Sequence, residues 1–118
     1  RITKHPPPNG PPYPMAKAAL EILAATLAKE ERRHGIHVNV VAPGLVDTDM
    51  GRRVARAAFG TDHMGALDAA FPFGRVSTPE DVPAVVRFVV SPAASYITGE
   101  VLRVDGGGSR TVVKEDGT

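Results

Sequence analysis

The sequence predicts an α/β protein in which a parallel sheet is covered by helices. Three observations carry that expectation. A long apolar-periodic helix, about Pro14 to His34, runs straight into a short and almost wholly apolar segment, Ile36 to Ala42, which Pro43-Gly44 cuts off sharply. Only His37 and Asn39 are polar within that segment, as expected of a strand buried on both faces beneath helices. The next strand, Glu100 to Asp105, comes only after two further helical patterns, so strands alternate with helices.

Each element has a local reason. Prolines at 6, 7, 8, 11 and 12 remove backbone donors from the first twelve residues, which are therefore expected as a loop. Pro14 suits a first helical position and Gly35 the position just past the end. Ala16, Ala19, Leu20, Leu23 and Leu27 recur at spacings of three and four, which predicts one buried face. Lys29, Arg32, Arg33 and His34 gather at the negative end of the helix dipole. Thr48 or Asp49 is expected to cap a second helix running to about Phe59, with Arg52, Arg53 and Arg56 on its polar side. Thr78-Pro79-Glu80-Asp81 is a start signal for a third helix, Val82 to Val90, closed by Ser91-Pro92. Counted from Pro79, Pro83 is the fifth residue and its ring would press on the Pro79 carbonyl, so a distorted first turn is expected there. Gly106 to Gly108 ends the last strand, and the residues from about Ser109 onward are expected to be loosely held. A central parallel strand needs neighbours on both edges, and Glu100 to Asp105 is the only other good strand, so the sheet is incomplete as given.

Composition excludes several classes. With 118 residues, 42% hydrophobic and 23% charged, the chain has the character of a soluble globular protein. No apolar run approaches the ~18 residues of a spanning helix, so no membrane partner is expected, and no apolar signal region follows Arg1. The absence of cysteine fits a reducing cytoplasm and excludes both disulfides and thiolate metal sites. A net charge of +1 gives no reason to expect a nucleic-acid partner.

The chemistry concentrates at Tyr13 and Lys17, a hydroxyl and an ammonium four residues apart and so on one helical face. A free tyrosine of pKa ~10 is only about one part in a thousand ionised at pH 7, and a neighbouring cation favours its phenolate. The pair therefore suits proton transfer, although a packed tyrosine beside a snorkelling lysine has the same spacing. His34 and His37 have no third partner for a metal. Gly106 to Gly108 precedes no helix that would receive a phosphate, and the three arginines of the second helix suit a solvated face better than an anion site. The segment from Met50 to Phe73 holds Phe59, Met64, Leu67, Phe71 and Phe73, which either meet an apolar substrate or pack inward.

Taken in order, the motifs carry a resemblance. They are Tyr13-x-x-x-Lys17, Asn39-Val40-Val41-Ala42-Pro43-Gly44-x-Val46-x-Thr48, Arg75-Val76-x-Thr78-Pro79-Glu80-Asp81-Val82, and Ile97-Thr98-Gly99 before Val104-Asp105-Gly106-Gly107. From about Tyr13 to Gly107 the chain resembles the short-chain dehydrogenase/reductase family, in particular members like 3-oxoacyl-acyl-carrier-protein reductase. The resemblance implies a Rossmann-like doubly wound parallel sheet and hydride exchange between NAD or NADP and a small-molecule carbonyl or alcohol. By the same resemblance Tyr13 is the catalytic acid and base, and Lys17 holds the nicotinamide ribose and lowers the Tyr13 pKa. Pro43, Gly44, Val46 and Thr48 join Tyr13 and Lys17 in binding the cofactor, at the carboxyl end of the strand where such sheets bind ligands. Met50 to about Phe71 would be a mobile lid. A homo-oligomer, dimer or tetramer, would use the Pro14 to His34 helix and the Glu100 to Asp105 strand.

The family's glycine-rich loop, its cofactor-selecting residue and its catalytic asparagine and serine would all lie before Arg1. Residues 1–118 are therefore expected as the carboxyl-terminal part of one Rossmann-like domain, with a proline-rich loop at 1–12, a family-like region at 13–107 and a tail at 108–118. The isolated chain would then be inactive, and a catalytically silent fragment or scaffold is the alternative. A third possibility, binding of nucleic acid through Arg52, Arg53 and Arg56, ranks below both.

Overall fold

A computed structural model describes residues 12–108, apart from the side chain of Pro12. The expectations for the proline-rich loop before Pro12 and for the tail beyond Gly108 lie outside the described residues. In chain order the regular elements are helix α1 (Pro12–Glu31), strand β1 (Val40–Pro43), helix α2 (Asp49–Phe59), the single turn α3 (Met64–Leu67), helix α4 (Asp81–Val89) and strand β2 (Val101–Val104). β1 and β2 form a two-stranded sheet. Its hydrogen bonds keep one constant offset in sequence, Val40 N–H to Glu100 C=O and Gly44 N–H to Val104 C=O, so the pair is parallel, as an α/β chain requires. No described helix is long and apolar enough to cross a membrane.

The chain divides into two compact units: the described residues up to Val40 with Ala94–Leu102, and Val41–Ala93 with the described residues from Arg103.

In the first unit, α1 begins at Pro12, two residues earlier than expected. Both Pro12 and Pro14 fall in the first turn, where a missing N–H leaves nothing unpaired. Residues Arg32–His34 tighten into a 3₁₀ turn, and Gly35 ends it at φ 72°, a left-handed conformation in which glycine carries no Cβ penalty. The expected buried face is not buried. Leu20 and Leu23 are about half exposed (52% and 54%), Ala16, Ala19 and Leu27 are also exposed, and only Pro14 and Ala28 are buried. A 20-residue helix is ~30 Å long, and two strands of four residues each, ~13 Å in length, cannot cover it.

The expected strand Ile36 to Ala42 is likewise shorter, because its partner breaks at Gly99, where φ is 76°. Side chains replace the missing ladder: Val38 N–H donates to the Thr98 hydroxyl, and the Asn39 amide accepts from Glu100 N–H and donates to Ile97 C=O. His37, expected within a buried strand, is exposed, with Nδ1 2.9 Å from the Ile97 carbonyl oxygen.

The second unit has its own core of Ala55, Met64, Leu67, Phe71 and Val76, with Leu45, Phe59 and Ala70 packed around it. α2 presents Gly51 and Ala55 to this core, while Met50, Val54 and the arginines stay exposed. The Thr48 hydroxyl accepts from Gly51 N–H and caps the helix as expected. Pro83 does not distort α4. The helix starts at Asp81 instead, which places Pro83 in the first turn and leaves Pro79 outside it. The strand after it is Val101–Val104, inside the expected Glu100 to Asp105.

Two glycines permit close backbone approach. A Cβ on Gly44 would lie 2.7 Å from Asp105 Cβ, and one on Gly51 would lie 1.8 Å from the Val46 carbonyl oxygen. Gly51→Ala is therefore expected to destabilise the second unit by ~1–3 kcal/mol, whereas Thr48→Ala, which removes the cap alone, should cost ~1 kcal/mol. Urea unfolding of the two variants checks both magnitudes and their order.

Candidate functional site

Tyr13 and Lys17 lie in the first half of α1, and one helical turn brings them together. The Lys17 ammonium sits 5.4 Å from the centroid of the Tyr13 ring, within the ~6 Å of a cation–π contact. It lies over the ring, and no hydrogen bond joins it to the phenol oxygen among the described residues. Tyr13 is 59% exposed, and Lys17 is exposed too. The packed tyrosine that the spacing also allowed is thereby excluded. What remains is an accessible phenol with a cation on the same helical face, which is the raw material for proton exchange with a ligand.

The other sequence-designated residues cluster in the second unit. Pro43 is the last residue of β1, and Gly44 N–H donates to Val104 C=O. Beyond it, Val46 forms an isolated parallel bridge with Ser77, and Asp47 N–H donates to Ser77 C=O at 2.9 Å. In such a bridge the bonds come from the neighbours of Val46, so its own N–H and C=O point to the other side. The C=O accepts from Thr48 N–H at 2.8 Å, and the N–H has no protein partner among the described residues. Val46 and Thr48 thus form a compact bend that offers one backbone donor and one hydroxyl at the carboxyl end of the strand.

A turn that spacing did not single out underlies this bend. Arg75 donates to both carboxylate oxygens of Asp81, at 2.6 and 3.0 Å. The same carboxylate accepts from Thr78 N–H at 2.7 Å and from the hydroxyls of Ser77 and Thr78. Asp68 accepts from Val76 N–H. The Arg75 guanidinium and the Thr78 N–H hold the Asp81 carboxyl far below its ordinary value, and the ion pair raises the Arg75 pKa in return. Thr78-Pro79-Glu80-Asp81 was read as a helix start with a capping hydroxyl. The cap in fact runs the other way, from Asp81 back to Thr78. The arginine six residues upstream was the available clue to an ion pair.

The remaining candidates are absorbed by the fold. Met64, Leu67 and Phe71 are buried and Phe59 packs against them, so of Phe59, Met64, Leu67, Phe71 and Phe73 only Phe73, at 79%, is exposed. Arg52 pairs with Asp47 and Arg56 with Asp62, which also lowers the Asp62 pKa. The His34 ring accepts from Arg33, and no group of three or more metal-ligating side chains occurs among the described residues.

Comparison with known proteins matches this arrangement of elements. A family model described as enoyl-(acyl carrier protein) reductase matches residues 3–109. The chain belongs to the short-chain dehydrogenase/reductase family. It is 43% identical over 95 residues to 3-oxoacyl-[acyl-carrier-protein] reductase of Salmonella typhimurium, a match covering 80% of this chain and 37% of the reductase. Among solved structures, a short chain dehydrogenase family protein from Francisella tularensis superposes with a TM-score of 0.73 at 27% identity, covering 95% of this chain and 48% of that one. YwfH, an NADPH-dependent reductase involved in bacilysin biosynthesis, superposes with a TM-score of 0.77 at 28% identity, covering 91% and 43%. The fold is accordingly Rossmann-like, and the chain spans less than half the length of each of these relatives.

Folding lowers the Asp81 pKa, so the folded chain binds this proton less tightly than the unfolded one. The stability contributed by the Arg75–Asp81 clamp is thus fully present above the ordinary aspartate value of ~3.9 and drains away as pH falls below it toward the depressed folded value. Acid titrations of the native protein and Asp81→Asn should show the native protein more stable at neutral pH, with the gap narrowing below about pH 4.

Proposed function

We propose that the protein is an NAD(P)-dependent oxidoreductase that interconverts a carbonyl and an alcohol on a small molecule. One observation carries the reading: an accessible Tyr13 phenol with the Lys17 ammonium over its ring, in a chain of this family. The name of YwfH supports a nicotinamide cofactor, and NADPH is the form named there.

The residues present fit such a cofactor. A nicotinamide carboxamide brings one acceptor and one donor group, and the bend supplies the unpartnered Val46 N–H and the Thr48 hydroxyl. Pro43 and Gly44 shape the approach to that bend, and Lys17 would hold the ribose hydroxyls. A bound nicotinamide gives or takes the hydride. This chain's own work is with the proton. In reduction the Tyr13 hydroxyl donates to the carbonyl oxygen as that oxygen gains negative charge; in oxidation the Tyr13 phenolate takes the alcohol proton.

A homo-oligomer in the cytoplasm completes the reading. It is supported by the exposed apolar side chains of α1, Met15, Leu20, Ile22 and Leu23, because a contiguous apolar face on a helix is a common mark of an interface. The described residues form the carboxyl-terminal part of a single nucleotide-binding domain. A catalytically silent scaffold is the competing reading, and turnover separates the two.

In the protein at its full natural length, Tyr13→Phe is expected to lower turnover of a carbonyl substrate by ~10²–10⁴-fold with little change in cofactor affinity. Lys17→Met should both weaken cofactor binding and slow turnover. Steady-state kinetics with cofactor titration by fluorescence checks both, and a Tyr13→Phe protein with native turnover would defeat the proposal.

A further inference from the structure

We propose that Asp81 is a positioning residue for the cofactor-binding bend at Val46–Thr48, acting through Ser77. This rests on the reading above that Val46 and Thr48 hold the nicotinamide.

The bend is held beyond Gly44 by polar ties of three kinds. Thr48 N–H and, more weakly, the Thr48 hydroxyl donate to Val46 C=O within it. Gly51 N–H donates to the Thr48 hydroxyl, Arg52 N–H to Thr48 C=O and the Arg52 guanidinium to the Asp47 carboxylate, all from the helix that the bend begins. Among the described residues only Asp47 N–H, donating to Ser77 C=O, ties the bend to a separate part of the unit. The position of the bend therefore depends on where Ser77 stands.

Ser77 lies in an irregular stretch between Phe71 and α4, with no strand ladder beyond the single bridge. Before it, Val76 is buried in the core and its N–H donates to Asp68. At Ser77 itself and after it, the Asp81 carboxylate accepts from the Ser77 hydroxyl at 3.2 Å and from the N–H of the next residue at 2.7 Å. Arg75 grips the same carboxylate from two residues before Ser77. A helix cap would need only the Thr78 N–H. The Ser77 hydroxyl and the bidentate Arg75 pin both sides of the residue that carries the bend, and a two-point guanidinium–carboxylate contact adds orientation that a single bond lacks.

Removing the charge while keeping the shape isolates this role. In the full-length protein, Asp81→Asn is expected to raise KM for NADPH about tenfold while kcat at saturating cofactor stays within about threefold. Hydrogen exchange at the Asp47 amide should quicken by about tenfold, with exchange at Val40 unchanged. Ser77→Ala, which removes one bond and keeps the ion pair, should move both quantities the same way by less. Asp62→Asn, which breaks an exposed pair at the far end of α2, should move neither. A lower melting temperature with native KM and native Asp47 exchange would overturn the positioning role and leave the proposed function standing. Faster Asp47 exchange without any effect on KM would also overturn it. A native protein that binds neither NADPH nor NADH would overturn the proposed function and this inference together, whatever the exchange data show.

Discussion

Where β1 ends, the chain must pass Asp105 with almost no room, and the rest of the second unit follows from that constraint. Gly44 donates to Val104 C=O while its Cα faces the Asp105 backbone so closely that a Cβ would be 3.0 Å from Asp105 Cα. A chain held that tightly at one point must turn in the next few residues. It does so through Val46–Thr48, where the Val46 carbonyl lies so close to Gly51 that the first turn of α2 admits no side chain at that position. The bend, the Ser77 bridge and the direction of α2 are successive consequences of one crowded strand exit.

Polar groups hold this region and apolar groups hold the part behind it. Arg75 is exposed and Asp81 half-buried, and as an isolated ion pair they would contribute little to stability. What sets the pair apart is that five hydrogen bonds converge on one carboxylate and orient the backbone around it. Behind it, Ala55, Met64, Leu67, Phe71 and Val76 form a small apolar core. A segment that resembled a greasy lid is thereby a packed structure in its own right. The division suits the proposed cofactor site: recognition of amide and hydroxyl groups would need fixed donors, and fixed donors need a rigid support.

Much of the fold was legible before any coordinates. Pro14 and Gly35 bracket α1, Thr48 caps α2, and Gly106 to Gly108 turns the chain after β2 with positive φ at all three. These signals are readable because each acts within a few residues. The pairing of Tyr13 with Lys17 was also legible, since four residues make one helical turn. The start of α4 falls two residues after the expected Pro79 because Pro79 and Pro83 compete for the same first turn, and only the one that would not clash can lie inside the helix. The buried face of α1 was misread for a different reason. Periodicity shows that a face is apolar and says nothing of how much sheet stands ready to cover it.

Residue order alone is enough for the sequence of the main helices and strands, for the Thr48 cap and the glycine turns, for the shared helical face of Tyr13 and Lys17, and for the family to which the chain belongs. All of these are set by residues near one another in the chain or by motifs in a fixed order. Only the fold brings Phe59, Met64, Leu67 and Phe71 inward, sets Val46 against Ser77 some thirty residues later, and places the Asp81 carboxylate on the Ser77 hydroxyl. Those relations depend on how distant segments meet in space, and a hydrogen bond between such segments leaves no periodic trace in the chain that makes it.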